Sequence, residues 1–486
     1  MRASIVVHLT GALIRLFGAA FLAPAGVAVL YREYADGTGF LVAGTATLLL
    51  GHAMRSVAEE PSDVRRVEAM AVVSATWLLL GGLCAVPYVW AGLAPIDALF
   101  EGMSGLTTTG ATALTDFGRF GHALFFWRSL TQWLGGLGVI ALFIAVLPRL
   151  AIGGRQLFFV EAPGPTDEKL TPQIRRTAAA LWSVYLALTL AEFLGLVMVG
   201  LPPFDAACHA LTTLGAGGFS PHPLSIQGYA NPAAEWVIIG FMFLAGANFA
   251  LQFRVLRGRP LALGRDTEFR AYAGLVVVFT TLSALVLWND GQEAATAVRE
   301  GAFQVVSILT TTGYASADFE TWSDQAKVLL FLLMFVGGCA GSAAGGPKVV
   351  RHVLIARFTL QELKRTLHPR AILPVKLAGR VVSDDVMRAV LVFFLFYLLV
   401  FAVCAAVVVL LGADLITGIS AAIACLGNIG PGFGGVGPMM DYGHLHPVSK
   451  LVLVAAMWIG RLEVLTVLAI LRPEVWLRAQ WRGADV

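Results

Sequence analysis

Thr107-Thr108-Thr109-Gly110-Ala111 carries no ionisable side chain, yet it offers a row of backbone carbonyls. The pattern returns as Leu214-Gly215-Ala216-Gly217-Gly218-Phe219, Thr310-Thr311-Thr312-Gly313-Tyr314 and Gly427-Asn428-Ile429-Gly430-Pro431-Gly432. The chemistry open to such stretches is coordination. A cation leaving water needs its hydration shell replaced, and backbone carbonyls do this without a fixed charge that would trap it. Consecutive carbonyls point one way only where the backbone leaves its usual regions, which glycine allows at little steric cost. The lack of charge in all four stretches favours a small monovalent cation over a divalent one. Glycine and threonine also serve as packing residues in membrane helices, and one copy alone would not separate the two readings. Four copies at corresponding positions favour coordination.

No competing chemistry is legible. There is no Ser/His/Asp order, paired carboxylate, His-x-x-His spacing or Walker loop with supporting context, so no enzyme is expected. The nine histidines are dispersed, mostly in loops. The five cysteines (Cys84, Cys208, Cys339, Cys404, Cys425) lie in apolar segments with no metal-like spacing and read as small buried hydrophobes.

Holding four such turns at membrane depth requires a particular scaffold, because non-helical backbone survives there only when buried in protein or lining a cavity. Each stretch ends an apolar run too short to cross a bilayer and precedes a longer one. Of 486 residues 57% are hydrophobic and only 13% charged, about half the roughly 25% charged share of soluble domains. Mean hydropathy is +0.77. The chain is therefore an integral membrane protein. Its long apolar runs, such as Ala389–Leu411 and Val328–Gly346, read as spanning helices.

The expected fold is all-α: four pseudo-symmetric helix–pore-loop–helix repeats around one pore, plus two extra N-terminal helices. The helix pair takes residues 1–66, with Val6–Leu30 as a retained first helix. The repeats take 67–150, 151–258, 259–370 (with an interrupted helix) and 371–486. The turn glycines Gly110, Gly217, Gly313 and Gly430 recur about every hundred residues, a period that suits parallel repeats about an axis along the membrane normal. Asp97, Asp205 and Asp414 open three of the short segments and read as N-caps. Basic residues crowd three links: Arg149, Arg155, Lys169, Arg175 and Arg176; Arg254 to Arg270; and Lys348 to Arg380. The turn-side segments carry few, chiefly Arg119 and Arg299. The positive-inside rule puts the links and both termini in the cytoplasm and all four turns outside, with ten spans.

Further motifs are Leu106–Thr112, Gln132-Trp133-Leu134-Gly135-Gly136-Leu137-Gly138, Gly217-Gly218-Phe219-Ser220, Gly337-Gly338-Cys339-Ala340-Gly341-Ser342, Glu362-Leu363-Lys364-Arg365 with His368-Pro369-Arg370, and Gly460-Arg461-Leu462-Glu463. With these and the four turns, the chain resembles the Trk/Ktr/HKT superfamily of potassium transporters over nearly its whole length, most closely the bacterial TrkH/TrkG branch. The resemblance implies K⁺ as the ion, no organic cofactor in this chain and no nucleic acid. It implies a homodimer in the lipid of a bacterial inner membrane. A cytoplasmic nucleotide-binding ring resembling TrkA would regulate it. On the family pattern the ion sites fall at Thr108, Thr109 and Gly110; Gly215, Ala216 and Gly217; Thr311, Thr312 and Gly313; and Asn428, Ile429 and Gly430.

A gate is the other implication. Glycines interrupt the run through Gly337–Gly346 and Pro347 follows, a sufficient cause for a bend. The resemblance makes Gly341, Ser342, Ala343, Ala344, Gly345 and Gly346 a loop that closes the pore. This stretch departs from the family's usual Gly-Ser-Thr-Gly-Gly-Gly, and fewer glycines with Pro347 imply a stiffer loop. Arg461, expensive inside an apolar run unless it faces protein or water, would sit at that loop as a cationic barrier, with Lys348 near the inner mouth. A bland alternative pairs Arg461 with Glu463 or another acid. The reading is a K⁺ uptake channel-like subunit gated from the cytoplasm. Its rivals are a non-selective K⁺/Na⁺ channel of the same fold and a K⁺ symporter coupled to H⁺ or Na⁺.

Overall fold

The structure is a computed structural model and describes residues 2–57, 64–146, 170–370, 373–463 and 467. Arg149, Arg155, Lys169, the boundary at 150 and both extreme termini lie outside the described residues. The chain opens with α1 (Ala3–Phe17), α2 (Leu22–Leu30) and α3 (Tyr34–Ser56). Next come α4 (Arg66–Trp90), α5 (Pro95–Leu106) and α6 (His122–Val146), then α7 (Leu170–Met198), α8 (Pro203–Leu214), α9 (Pro232–Ala245), α10 (Phe249–Leu256) and α11 (Leu261–Arg265). Then follow α12 (Thr267–Asn289), α13 (Ala294–Leu309), α14 (Asp324–Leu333) and α15 (Val349–Leu367). A two-residue hairpin, β1 (Lys376–Leu377) with β2 (Arg380–Val381), precedes α16 (Asp384–Leu410), α17 (Leu415–Leu426) and α18 (Pro447–Arg461).

Sequence chemistry explains the helix starts. Pro95, Pro203, Pro232 and Pro447 stand in first turns, where a missing N–H leaves nothing unpaired. Of the three expected acidic caps, Asp414 alone caps by side chain, accepting from Thr417 N at 3.0 Å. Asp97 and Asp205 lie inside the first turn instead, because proline has already taken the helix start; Asp97 pairs with Lys450.

The long helix of each unit lies along its short helix: α4 on α5, α7 on α8, α12 on α13, α16 on α17. Between units, α6 packs on α8, α9 on α13, α15 on α16, and α18 back on α5, which closes the circle. The N-terminal pair docks through aromatic packing, with Phe21 stacked 4.3 Å from buried Trp127 of α6. Glu33 also caps α6 from outside, accepting from His122 N and Ala123 N at 2.8 and 2.9 Å. All five cysteines are buried and free.

Two expected spans are not single helices. Val328–Gly346 stops being helical after Leu333 and is irregular up to Val349. The run after the second turn bends by 104° between α9 and α10, where Asn248 caps the new helix by accepting from Ala250 N at 2.8 Å. The first helix is continuous in direction apart from a 3₁₀ stretch at Gly18–Phe21. Among the described residues six helices are long and apolar enough to cross a membrane, seven if the bent pair is one span, against the ten expected. The difference arises partly because breaks divide the third unit's second leg and α18 runs to the edge of the described residues.

Candidate functional site

The four short helices end alike. Just past each one a non-glycine residue turns left-handed: Thr108 (φ 53°), Ala216 (52°), Thr311 (57°) and Asn428 (55°). That conformation costs about 1–2 kcal/mol for an L-residue. Part of the compensation is a closing hydrogen bond from the next amide to the helix carbonyl five residues back. The four bonds are Thr109 N to Ser104 O, Gly217 N to Thr212 O, Thr312 N to Ser307 O and Ile429 N to Ala424 O, at 2.8–2.9 Å. Two residues beyond the left-handed position stands a glycine that is left-handed in turn: Gly110, Gly218, Gly313 and Gly430. In the second turn the pivotal glycine is thus Gly218, and Gly217 takes the place of Thr109. The sequence register of that turn is corrected by one residue, because three near-adjacent glycines hide which one carries positive φ.

These glycines close a ring. A Cβ on Gly110 would overlap the carbonyl of Gly217, one on Gly218 that of Thr312, and one on Gly313 that of Ile429. A Cβ on Gly430 would lie 2.7 Å from the Thr109 carbonyl oxygen. Each turn therefore presses its glycine on the corresponding carbonyl of the next, first to second to third to fourth to first.

The turns are braced from several sides. Hydroxyl pairs Thr107–Thr109 and Thr310–Thr312 stand 2.8 Å apart in the first and third turns. Ser104 and Ser307 donate to Ala111 O and Tyr314 O at 2.6 and 2.7 Å. Asn428 Nδ2 reaches Thr109 Oγ1 and Met457 O, both at 3.0 Å, tying the fourth turn to the first. The second turn has no threonine pair. Buried Gln132 of α6 holds it, donating to Gly217 O at 2.7 Å and accepting from Phe219 N at 3.0 Å. From the other side the Tyr314 hydroxyl touches Thr212 Oγ1 and receives from Thr213 Oγ1 at 3.4 Å. Glu101 accepts from Thr112 Oγ1 and Ala113 N at 2.6 Å, and Arg128 reaches Glu101 and Ser220 O.

The interrupted segment between Leu333 and Val349 folds as a loop against the break of α9 and α10. Cys339 N donates to Gly246 O at 2.8 Å, Ala343 N to Ala245 O, and Phe249 N to Gly341 O. Gly341 and Gly346 are left-handed. Ser342 Oγ donates to Cys339 O at 2.6 Å and accepts from Ala344 N at 3.3 Å. Gly345 N donates to Thr311 Oγ1 at 2.6 Å, and a Cβ on Gly345 would meet Gly427 O at 2.7 Å. The loop therefore abuts the third and fourth turns. Glu268 of α12 ties the middle of the loop to the start of α15, accepting from Ala340 N at 2.8 Å and Val350 N at 3.1 Å.

Two buried cations face this loop. Lys348 Nζ donates to Ala344 O. Arg461 donates to Ala343 O at 3.0 Å and to Gly135 O at 3.4 Å. Among the described residues no carboxylate pairs with Arg461; Glu463 is taken by Arg351 at 2.7 Å. Fixed positive charge beside the ring suits a cation barrier. No cluster of three or more His, Cys, Asp or Glu suited to a metal occurs among the described residues.

Sequence reasoning assigned no role to Gln132, Tyr314, Glu268, Ser104 or Ser307. The serines had a signal, since Ser104-Gly105-Leu106-Thr107-Thr108-Thr109-Gly110 and Ser307-Ile308-Leu309-Thr310-Thr311-Thr312-Gly313 share one spacing.

A family model described as TrkH, a cation transport protein, matches residues 37–475. The Trk system potassium uptake protein TrkH of Salmonella typhimurium is 38% identical over 483 residues, covering 97% of this chain and 99% of its own. The protein TrkG of the same system in Escherichia coli K12 is 34% identical over 479 residues, covering 97% and 98%. The crystal structure of the potassium transporter TrkH from Vibrio parahaemolyticus matches with a TM-score of 0.90 at 34% identity, over 98% of this chain and all of that one.

Proposed function

We infer function from a premise and a geometry: the chain belongs to the TrkH family of cation transport proteins, and its four turns close a ring. It is a multi-pass membrane protein, and we propose that it takes up K⁺ as its substrate. The ion passes through a filter of carbonyls from the four turns, moving inward down its electrochemical gradient. The observation that carries this reading is the cyclic contact of each turn glycine with the next turn's carbonyl. Only a closed ring can replace a hydration shell from all sides.

The ion-site set becomes Thr108, Thr109 and Gly110; Ala216, Gly217 and Gly218; Thr311, Thr312 and Gly313; and Asn428, Ile429 and Gly430. The loop from Gly341 to Gly346, with Lys348 and Arg461, is the gate. Boundaries near 66, 150, 258 and 370 separate the N-terminal pair and the four units. The turns face outward and both termini inward in the bacterial plasma membrane. Family membership supports a homodimer and a cytoplasmic nucleotide-binding subunit resembling TrkA that works the gate.

Rubidium-tracer uptake into K⁺-loaded proteoliposomes, competed by external K⁺, Na⁺ or Li⁺, tests this. A Gly313→Asp variant, whose Cβ would strike Ile429 O and Pro431, runs alongside. Block by K⁺ but not Na⁺, with flux lost in the variant, is the expected result. Equal block by Na⁺ would establish the non-selective channel. Flux that needs a proton or sodium gradient, or survives in the variant, would establish a coupled transporter.

A further inference from the structure

Beyond its left-handed glycine each turn continues as an irregular exit segment, whose amides must be satisfied away from water. At the third residue of that segment, three units use their own short helix. Glu101 of α5 accepts from Ala113 N at 2.6 Å, and Ser420 Oγ of α17 from Phe433 N at 2.9 Å. Gln304 of α13, with its amide turned to satisfy both ends, accepts from Ser316 N at 3.0 Å. In the second unit the third residue is Pro221, which has no N–H to offer. The position of α8 that matches Glu101 and Gln304 holds His209, which faces the Tyr314 hydroxyl at 3.2 Å.

Arg128 of α6 reaches the second exit segment from the first unit. Its guanidinium donates to Ser220 O at 3.1 Å, to Thr112 Oγ1 at 3.2 Å and to Glu101 Oε2 at 3.3 Å. It also lies 4.0 Å from the centre of the Phe219 ring. Gln132 and Tyr314 hold the second turn as far as Phe219, and Ser225 Oγ meets the third unit at Ala315 N. Arg128 acts on the stretch between. Backbone bracing does not require the charge on Glu101, because Gln304 braces the third exit segment with a neutral amide. The carboxylate's second oxygen is spent on the guanidinium, and both side chains are buried. A buried guanidinium stripped of its counter-charge is strongly destabilising, and its planar fork meets several acceptors in fixed directions where an ammonium cannot.

We propose that Arg128 is a positioning residue for ion discrimination, pinned by Glu101 so that its guanidinium ties the exit segment of the second turn to that of the first. The tie crosses the joint of the ring where Gly110 rests on Gly217 O. With the second exit segment released, the carbonyls at that joint lose their fixed spacing, and the ring distinguishes ions less sharply. The inference rests on the proposed filter, and a readout independent of transport separates the two.

Glu101→Gln and Arg128→Lys are compared with the wild type as full chains in proteoliposomes. Glu101→Gln keeps an acceptor for Ala113 N, as Gln304 is for Ser316 N, and removes only the counter-charge. Arg128→Lys keeps the charge and loses the fork. In rubidium uptake competed by K⁺ or Na⁺, both variants should lose K⁺-over-Na⁺ discrimination several-fold while the maximal rubidium rate changes little. Amide hydrogen exchange on the same proteins should quicken across residues 219–222 and stay unchanged across 431–436, which certifies the fold. Either variant discriminating like the wild type would overturn the proposal. So would a fall in rate with the K⁺-to-Na⁺ ratio kept, the mark of a merely structural pair, and so would unchanged exchange across 219–222. A wild type that transports rubidium without discriminating, or not at all, would instead overturn the filter reading, while exchange still decides the tie.

Discussion

Replacing Gln132 by methionine keeps the side chain's length and removes both ends of the amide that holds the second turn. Its Nε2 donates to Gly217 O and its Oε1 accepts from Phe219 N, and all three residues are buried or nearly so. Each buried polar group left unpaired costs about 1–3 kcal/mol, so Gln132→Met, which strands two, destabilises the seated turn by about 2–6 kcal/mol. Even the lower figure is roughly a 30-fold shift toward displaced conformations. Gly217 O is the carbonyl that Gly110 rests on, so displacement opens the ring at its first joint. Competition assays should then show K⁺-over-Na⁺ discrimination falling about tenfold or more, on the same scale of free energy. Trp133→Phe serves as a control, since its indole bonds to Thr189 and not to a turn. A Gln132→Met protein that discriminates like the wild type would refute the claim that this amide holds the ring closed.

Other predictions follow from single contacts. Gly218→Ala should abolish rubidium uptake, because its Cβ overlaps Thr312 O in a left-handed residue, whereas Gly240→Ala should transport normally, with nothing within 4 Å; normal uptake by Gly218→Ala would return the register to Gly217. Glu268→Leu strands Ala340 N and Val350 N, a local cost of about 2–6 kcal/mol. Faster amide exchange through the loop should report it, and unchanged protection would show the grip to be idle. Arg461→Met removes the buried charge and its bonds to Ala343 O and Gly135 O, so uptake without any partner protein should rise several-fold; a fall would assign Arg461 to conduction and not to closure.

How much of this was legible in the sequence varied with the chemistry of each stretch. Thr-Thr-Thr-Gly at Thr107 and Thr310 announced its turn, since a helix that runs into Gly110 or Gly313 has only one residue free of steric objection to positive φ. Gly215-Ala216-Gly217-Gly218 offered three such residues, and sequence alone does not say that non-glycine Ala216 is the first to turn left-handed. The run from Val328 read as a span because its hydropathy is high, yet Gly345 N bonds a threonine 34 residues away and Cys339 N bonds Gly246 O. Those long-range bonds outcompete helix for the same amides, and hydropathy does not register them. Gln132, Tyr314 and Glu268 were opaque for the same reason: each acts on backbone or hydroxyls that only the closed ring brings near. Arg461 was legible because an isolated charge in an apolar run demands a polar partner, although its acceptors proved to be carbonyls and not an acid.

The loop and the ring cannot move independently. Thr311 is both the left-handed residue of the third turn and the acceptor for Gly345 N. Gly345 also lies against Gly427 O and Asn428, and Asn428 in turn holds Thr109 Oγ1. Drawing the loop aside therefore frees a buried hydroxyl in the third turn and uncovers the base of the fourth, which is the one tied to the first. Unless water replaces those contacts at equal strength, a displaced loop leaves a looser ring. On the proposed function, such a ring should accordingly discriminate best when its loop is seated, and activation by the proposed cytoplasmic partner should lower K⁺-over-Na⁺ discrimination as it raises flux. Measuring both quantities in one competition assay, with Arg461→Met standing in for activation, settles the matter. Flux that rises at constant discrimination would mean that the Thr311–Gly345 bond is not part of the coupling.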